Sequence, residues 1–209
     1  MHNIKLNPSD IIFWFNAIRN LPTDERTRGL DAFWSGQLDS KVWLVEMLNQ
    51  YYKHQLPADI YIFGGWVGVL ASILFQSSEF YVNKIYNIDI DSWCESVAKT
   101  VNEHNHRINR FQALTLDMAK YEYRTKPDIV INTSTEHISQ ETYDTWYNNI
   151  PTGTTVVIQG NDFFSCNEHI RCSNNLKEFA VMNRALNPIY IGELPTDIYN
   201  RYMCIFKKT

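Results

Sequence analysis

The stretch from residue 59 to residue 91 does most to limit what this chain can fold into. An apolar run, Ile60 to Phe63, stops at three glycines, Gly64, Gly65 and Gly68. An apolar stretch of helical character follows, Val69 to Phe75, and then a second strand-like run that ends in Asp89. Strand, glycine turn, helix, strand and acidic tip make the unit that receives an adenosine-type ligand in open α/β folds. The glycines let the backbone pass close to the ligand, and the carboxylate accepts hydrogen bonds from ribose hydroxyls.

The rest of the chain continues this alternation. Strands are expected at 60–63, 84–89, 111–117, 128–132 and 154–159, and again at 189–193 and 201–206. Helices are expected from the glycine turn to about 76, from 92 to about 104, from about 139, and around 176–186. Alternating strands and helices call for a mostly parallel sheet covered on both faces. Only residues 194–200 separate the last two strands, too few for a helical crossover, so these should pair antiparallel. Ahead of the sheet, Ser9, Thr23 and Ser40 stand where they can cap three helices with apolar residues at helical spacing. Residues 1–56 read as an N-terminal helical cap and residues 57–209 as the ligand-binding domain.

At 209 residues the chain is long enough for one well-buried domain and short for two. Its apolar share of 44% excludes a disordered chain. A net charge of −4 argues against broad electrostatic binding to nucleic acid, although Arg107, Arg110, Arg171 and Arg201, among others, leave room for a local basic patch. The longest apolar run, Tyr61 to Phe75, is too short to span a bilayer, and the first ten residues lack the order of a signal peptide. Cys94, Cys166, Cys172 and Cys204 follow no framework spacing, so reduced thiols and a cytoplasmic location are expected.

From about residue 57 to its end the chain resembles the class I S-adenosylmethionine-dependent methyltransferases. In that family the loop after the first strand reads acidic-x-Gly-x-Gly-x-Gly. Here it reads Ile62-Phe63-Gly64-Gly65-Trp66-Val67-Gly68, with Trp66 at the middle glycine and Ile62 at the acidic position. The resemblance implies a Rossmann-like α/β sheet of parallel strands closed by a C-terminal antiparallel hairpin, and S-adenosylmethionine as cofactor. It places Gly64, Gly65, Trp66 and Gly68 in the cofactor loop, Asp89 and Ile90 at the ribose, Asp117 and Met118 at the adenine, and Asn132 beside the reacting methyl. Asp91 either supports the same site or begins the next helix. One aspartate at a strand end is commonly a cap or turn residue. Two at consecutive strand tips, behind a glycine turn, are hard to explain that way.

Strand 128–132 runs into six polar residues, Asn132-Thr133-Ser134-Thr135-Glu136-His137. In the family this loop faces both the methyl group and the acceptor. Enzymes that methylate amino groups of nucleic acids carry Asn/Asp-Pro-Pro-aromatic here. Asn132 fits that motif and Thr133-Ser134-Thr135 does not, which counts against such an acceptor. A second Glu-His pair, Glu168-His169, follows the next strand. His137 and His169 could face each other across one pocket as general base or acceptor-orienting groups, with Glu136 and Glu168 holding their tautomers; the alternative has the glutamates capping helices and the histidines, His169 above all, satisfied locally. Glu136, His137 and His169 are thus the catalytic candidates. His137, Cys166, His169 and Cys172 are ligand types that suit zinc, but no CxxC or HxxxH framework accompanies them; no metal is expected, and Cys166 to Cys172 reads as a helical segment. Gln37, Ser40 and Lys41 are lid candidates, while Glu193, Tyr199 and Arg201 flank the final hairpin, where they could touch an acceptor or equally form an ordinary surface turn.

The function expected is methyl transfer to an unidentified acceptor, a small molecule or protein ahead of nucleic acid, with no membrane partner. Transfer of the aminocarboxypropyl or aminopropyl group of the same cofactor is the alternative on this fold. A non-catalytic nucleotide-binding scaffold is the alternative outside enzymes. Nothing in the sequence fixes the oligomeric state.

Overall fold

The structure, a computed structural model, describes residues 7–53 and 56–209. The chain divides into two compact units, residues 1–116 and 117–209.

The first unit opens with three helices, α1 (Pro8–Arg19), α2 (Arg26–Asp31) and α3 (Ser35–Tyr51). Pro8 occupies the first turn of α1, where its missing N–H costs nothing. The cap is therefore Asn7 and not Ser9, and its side chain accepts the Ser9 N–H at 3.0 Å. Thr23 does not cap either, since Glu25 precedes α2 without a side-chain cap bond. Ser40 lies inside α3, where its hydroxyl donates back to the Gln37 carbonyl at 3.0 Å.

The alternating part follows as β1 (Ala58–Phe63), α4 (Val69–Ser77), β2 (Val82–Asp89), α5 (Ser92–Val101), α6 (Glu103–Arg107) and β3 (Phe111–Thr115). These strands are parallel, with Ile60 beside Ile85 and Ile85 beside Phe111 in register. Val69 through Leu74 are all buried, as a helix apolar on every side requires. Trp14 of α1 donates its indole N–H to Ser72 of α4 at 2.9 Å, so the buried hydroxyl and the buried ring satisfy each other. The helix expected from 92 to about 104 breaks at Asn102, whose buried side chain donates to the carbonyls of Gly68 and Ala98 at 2.9 and 3.1 Å.

The second unit carries a 3₁₀ turn (Met118–Lys120), β4 (Ile129–Asn132), a second 3₁₀ turn (Thr135–His137), α7 (Gln140–Asn149), β5 (Thr155–Asn161), α8 (Leu176–Met182), β6 (Tyr190–Pro195) and β7 (Asn200–Lys207). Strand β4 pairs parallel with β5, whereas β7 pairs antiparallel with both β5 and β6. Every residue of β5 is buried, while β6 alternates between half-buried and exposed, the pattern of an edge strand with one solvated face. The strand order is β3-β2-β1-β4-β5-β7-β6, a mostly parallel sheet ending in the expected antiparallel hairpin. No helix lies between β5 and α8, so the helical reading of Cys166 to Cys172 is wrong. Among the described residues no helix is long and apolar enough to cross a membrane.

Candidate active site

In the first unit, Asp89 ends β2 and its carboxylate is held twice. One oxygen accepts the Trp66 N–H at 2.9 Å and the other the Asp91 N–H at 3.1 Å. The loop between β1 and α4 is thereby fastened to the tip of β2. Gly65 packs so closely on Asn87 that a Cβ there would lie 2.2 Å from the Asn87 side-chain oxygen. Asn87 in turn donates to the Trp66 carbonyl at 3.1 Å. Trp66, where the resembling family has a glycine, adopts φ 46°. A side chain in that left-handed region costs about 1–2 kcal/mol, and such strain persists where neighbours enforce it, commonly at ligand-binding loops.

Asp91 begins the next helix. It accepts the Trp93 N–H at 2.9 Å as the cap of α5 and pairs with Arg28 of α2. The Arg28 hydrogen bond, followed by that of the Trp93 N–H, holds the Asp91 carboxyl below its ordinary range. Trp93 also donates to Glu25 at 2.5 Å and lies 4.2 Å beneath the Arg28 guanidinium, so α2 is secured beside the end of β2. Ile90, between the two aspartates, is exposed. Of the lid candidates, Ser40 and Lys41 are buried in α3, and Lys41 donates to the carbonyl and side chain of Gln37 at 3.1 and 2.8 Å.

In the second unit, Asp117 caps the turn at 118–120 by accepting the Ala119 N–H at 3.0 Å, and the expected strand 111–117 already stops at Thr115. Asn132, fully buried at the end of β4, accepts the Ser134 N–H at 2.9 Å and donates to the Met118 sulfur at 3.6 Å.

Beyond Asn132 the polar loop places Glu136 in the interior, 2% exposed. Its backbone carbonyl accepts the N–H groups of Ile170 and Arg171 at 2.9 and 3.0 Å, which draws the segment after β5 onto the 3₁₀ turn at 135–137. That is how two Glu-His pairs far apart in sequence bring their histidines together: the rings of His137 and His169 lie 4.6 Å apart, edge to face. The Glu136 side chain is gripped on one oxygen only. Oε1 accepts from Arg201 at 2.6 Å and from Asn161 at 2.8 Å, whereas Oε2 has no partner among the described residues. The amide of Asn161 is oriented by the Phe163 N–H, which its oxygen accepts at 3.0 Å. His169 Nδ1 lies 3.1 Å from the Phe163 carbonyl, and a carbonyl only accepts, so Nδ1 carries the proton and Nε2 keeps its lone pair. Burial is the main cause that lowers the His169 pKa, with Glu136 partly countering it.

Several expectations need correction. Exposed Glu168 does not hold the His169 tautomer; the Phe163 carbonyl does. Arg201 does not await an acceptor but is buried against Glu136, and it also donates to the Thr133 carbonyl. Arg171 is no part of a surface patch: it is 6% exposed, stacks 4.2 Å over the Tyr143 ring and donates to Gln140, Thr135, Met182 and Asn183. Glu193 is exposed on β6, and Tyr199 stacks on Phe163 at 5.6 Å. Asn161 escaped the sequence reading. Its only signal was a polar residue closing the strand that Val156, Val157 and Ile158 mark as buried.

No family model matches the sequence, and no curated protein matches it. Solved structures do match the fold. The N-methyltransferase NodS of Bradyrhizobium japonicum, in complex with S-adenosyl-L-homocysteine, aligns with TM-score 0.65 and 12% identity over 94% of this chain and 98% of that one. Magnesium protoporphyrin IX methyltransferase of Synechocystis PCC 6803, with bound S-adenosylmethionine, aligns with TM-score 0.62 and 13% identity over 99% and 100%. Geranyl diphosphate C-methyltransferase of Streptomyces coelicolor aligns with TM-score 0.63 and 10% identity over 93% and 84%. The sheet is thus the Rossmann-like sheet of the class I S-adenosylmethionine-dependent methyltransferases. At these identities the likeness is one of fold.

Proposed function

We propose that this chain is an S-adenosylmethionine-dependent methyltransferase acting on a small-molecule or protein acceptor. The observation that carries the reading is the Asp89 carboxylate, fixed at the end of β2 by the N–H of Trp66 in the loop after β1. Ligands of open α/β sheets bind outside the carboxyl ends of the strands. A half-buried carboxylate with lone pairs to spare suits a ribose diol there. Gly64, Gly65, Trp66 and Gly68 would line the cofactor's path, Asp89 and Ile90 its ribose, Asp117 and Met118 its base, and Asn132 the side of the methyl group.

When bound, the cofactor supplies a methyl group on an electrophilic sulfonium. Transfer to a neutral nucleophile then needs proximity, in-line geometry and removal of the acceptor's proton. Glu136, His137 and His169 are the groups proposed to meet the acceptor. His169 offers the Nε2 lone pair because its Nδ1–H is engaged by Phe163, and Glu136 offers a carboxylate oxygen without a partner among the described residues. Small acceptors in the names of two structural neighbours, magnesium protoporphyrin IX and geranyl diphosphate, support a small molecule.

Titration calorimetry with S-adenosylmethionine, S-adenosylhomocysteine and NAD tests the cofactor. The first two should bind in the micromolar range, and Asp89→Ala should weaken them by about tenfold or more, since it removes charge-assisted hydrogen bonds. Binding of NAD alone, or of none of the three, would overturn the proposal. With an acceptor in hand, release of S-adenosylhomocysteine and not methylthioadenosine identifies methyl as the group moved.

A further inference from the structure

We propose that Glu136, His137 and His169 bind a divalent first-row transition cation. Each residue offers one ligand atom, and the three atoms lie within 4.8 Å of one another. Ligands to such a cation sit about 2.0–2.2 Å from it, so ligands on opposite sides are about 4.4 Å apart at most. The ring of His137 is exposed, so it has room to turn on its side chain and approach a cation held by the other two.

Each of the two inner residues already has the outer contact a metal ligand requires. Ligating histidines donate their second ring N–H to a carbonyl or carboxylate, and ligating carboxylates are hydrogen-bonded on their other oxygen. His169 donates Nδ1–H to the Phe163 carbonyl, which leaves Nε2 for the cation. Glu136 has Oε1 taken by Arg201 and Asn161, while Oε2, although buried, has no partner among the described residues. A buried carboxylate oxygen left without a partner is costly, and a cation would remove that cost. Two imidazoles and one carboxylate form the donor set of catalytic zinc and mononuclear iron sites, whereas magnesium and calcium prefer all-oxygen shells.

The buried Arg201 guanidinium cancels the single carboxylate charge, so the cation would keep most of its positive charge for the ligands that complete its shell. Those positions suit water or an oxygen of the acceptor, preferably an anionic one. With the cation bound, the His169 Nε2 lone pair and Glu136 Oε2 are its ligands and act on the acceptor through it, in place of taking a proton themselves; this use of the cation rests on the proposed methyl transfer, the binding itself does not.

The test uses the full chain stripped of metal, titrated with Co²⁺ by visible absorption and with Zn²⁺ by calorimetry, alongside S-adenosylhomocysteine binding. One Co²⁺ per chain is expected, and His137→Ala and His169→Ala should each weaken it by about 100-fold or more. Glu136→Gln strands the Arg201 charge and can prevent folding, so the exposed His137 is the deciding variant. Loss of Co²⁺ in the histidine variants with S-adenosylhomocysteine binding kept supports the site. Co²⁺ held by the triad in a chain that never binds S-adenosylhomocysteine leaves the metal site standing and removes the methyltransferase reading. Failure to bind Co²⁺ or Zn²⁺, binding of Mg²⁺ alone, binding indifferent to both histidine variants, or a thiolate charge-transfer band that disappears in Cys166→Ser or Cys172→Ser would overturn the proposal.

Discussion

Asn87, buried on β2, donates to the Trp66 carbonyl while its side-chain oxygen finds no partner among the described residues. That amide fills the space a Cβ on Gly65 would need, at 2.2 Å from the oxygen and 2.7 Å from the nitrogen. Gly65→Ala must therefore push Asn87 off Trp66, which loses a hydrogen bond of about 1 kcal/mol and adds overpacking of about 1–3 kcal/mol. The expected destabilisation, read from urea denaturation, is about 2–4 kcal/mol. In an Asn87→Ala background the alanine has room, and the Gly65 substitution should cost less by about 1–2 kcal/mol. Strictly additive costs would contradict the contact. The glycine cluster was plain in the sequence because glycine has few other uses after a buried strand. Asn87 was not, since its role is set by a neighbouring strand and by nothing in its local pattern. Trp66 was legible only as a departure from a family loop, and its left-handed backbone, φ 46°, is one that glycine adopts more readily than tryptophan.

Among the elements, the strands and the antiparallel pairing of the last two followed from apolar runs and loop lengths, whereas the order of strands in the sheet was not legible and helix starts were read less well. Ser9 and Ser40 have good capping side chains, but Pro8 pulls the start of α1 back to Asn7, and Ser40 satisfies its hydroxyl within α3. The spacing of Cys166, His169 and Cys172 mimics a helix in a segment whose course is set by the Glu136 carbonyl. Asp91, in contrast, caps α5 as one of its two sequence readings had it. Because Arg28 depresses its folded pKa, the pair contributes stability above the ordinary value of 3.8 and loses it as pH falls through the lower folded value. The two side chains are 46% and 37% exposed, so screening limits the contribution to about 1 kcal/mol or less. Wild type should melt above Arg28→Ala near neutral pH, with the gap closing in acid once Asp91 is protonated. A gap that stays constant down to about pH 2.5 would show that Arg28 acts through its stacking on Trp93 and not through charge.

For the molecule as a whole, composition constrained the surface but not the interior. The modest net charge of −4 could not show that Arg171 and Arg201 lie inside, at 6% and 4% exposure. Buried charges of this kind are invisible in a sequence because their partners, Asn183 or Glu136, are chosen by the fold. The cysteines make the interior measurable. Burial pushes the Cys94 and Cys204 thiols up to about 12 and that of Cys172 to about 11, while Cys166 is half-buried on the segment after β5. Disulfide exchange proceeds through the thiolate, so a thiol that is both inaccessible and held protonated reacts only when the structure opens. Treated with Ellman's reagent, the native chain should release one equivalent rapidly, from Cys166. Cys172, whose thiol meets Asn161 at 3.3 Å, should follow as that segment opens locally, and Cys94 and Cys204 should react only at the rate of global unfolding. Cys166→Ser should abolish the fast phase and leave the slow ones unchanged. Rapid modification of Cys204, which sits with zero exposure in β7 against β5, would mean that the antiparallel edge of the sheet opens without global unfolding and that the buried pair Arg201 of the same strand makes with Glu136 is not held as firmly as its geometry requires.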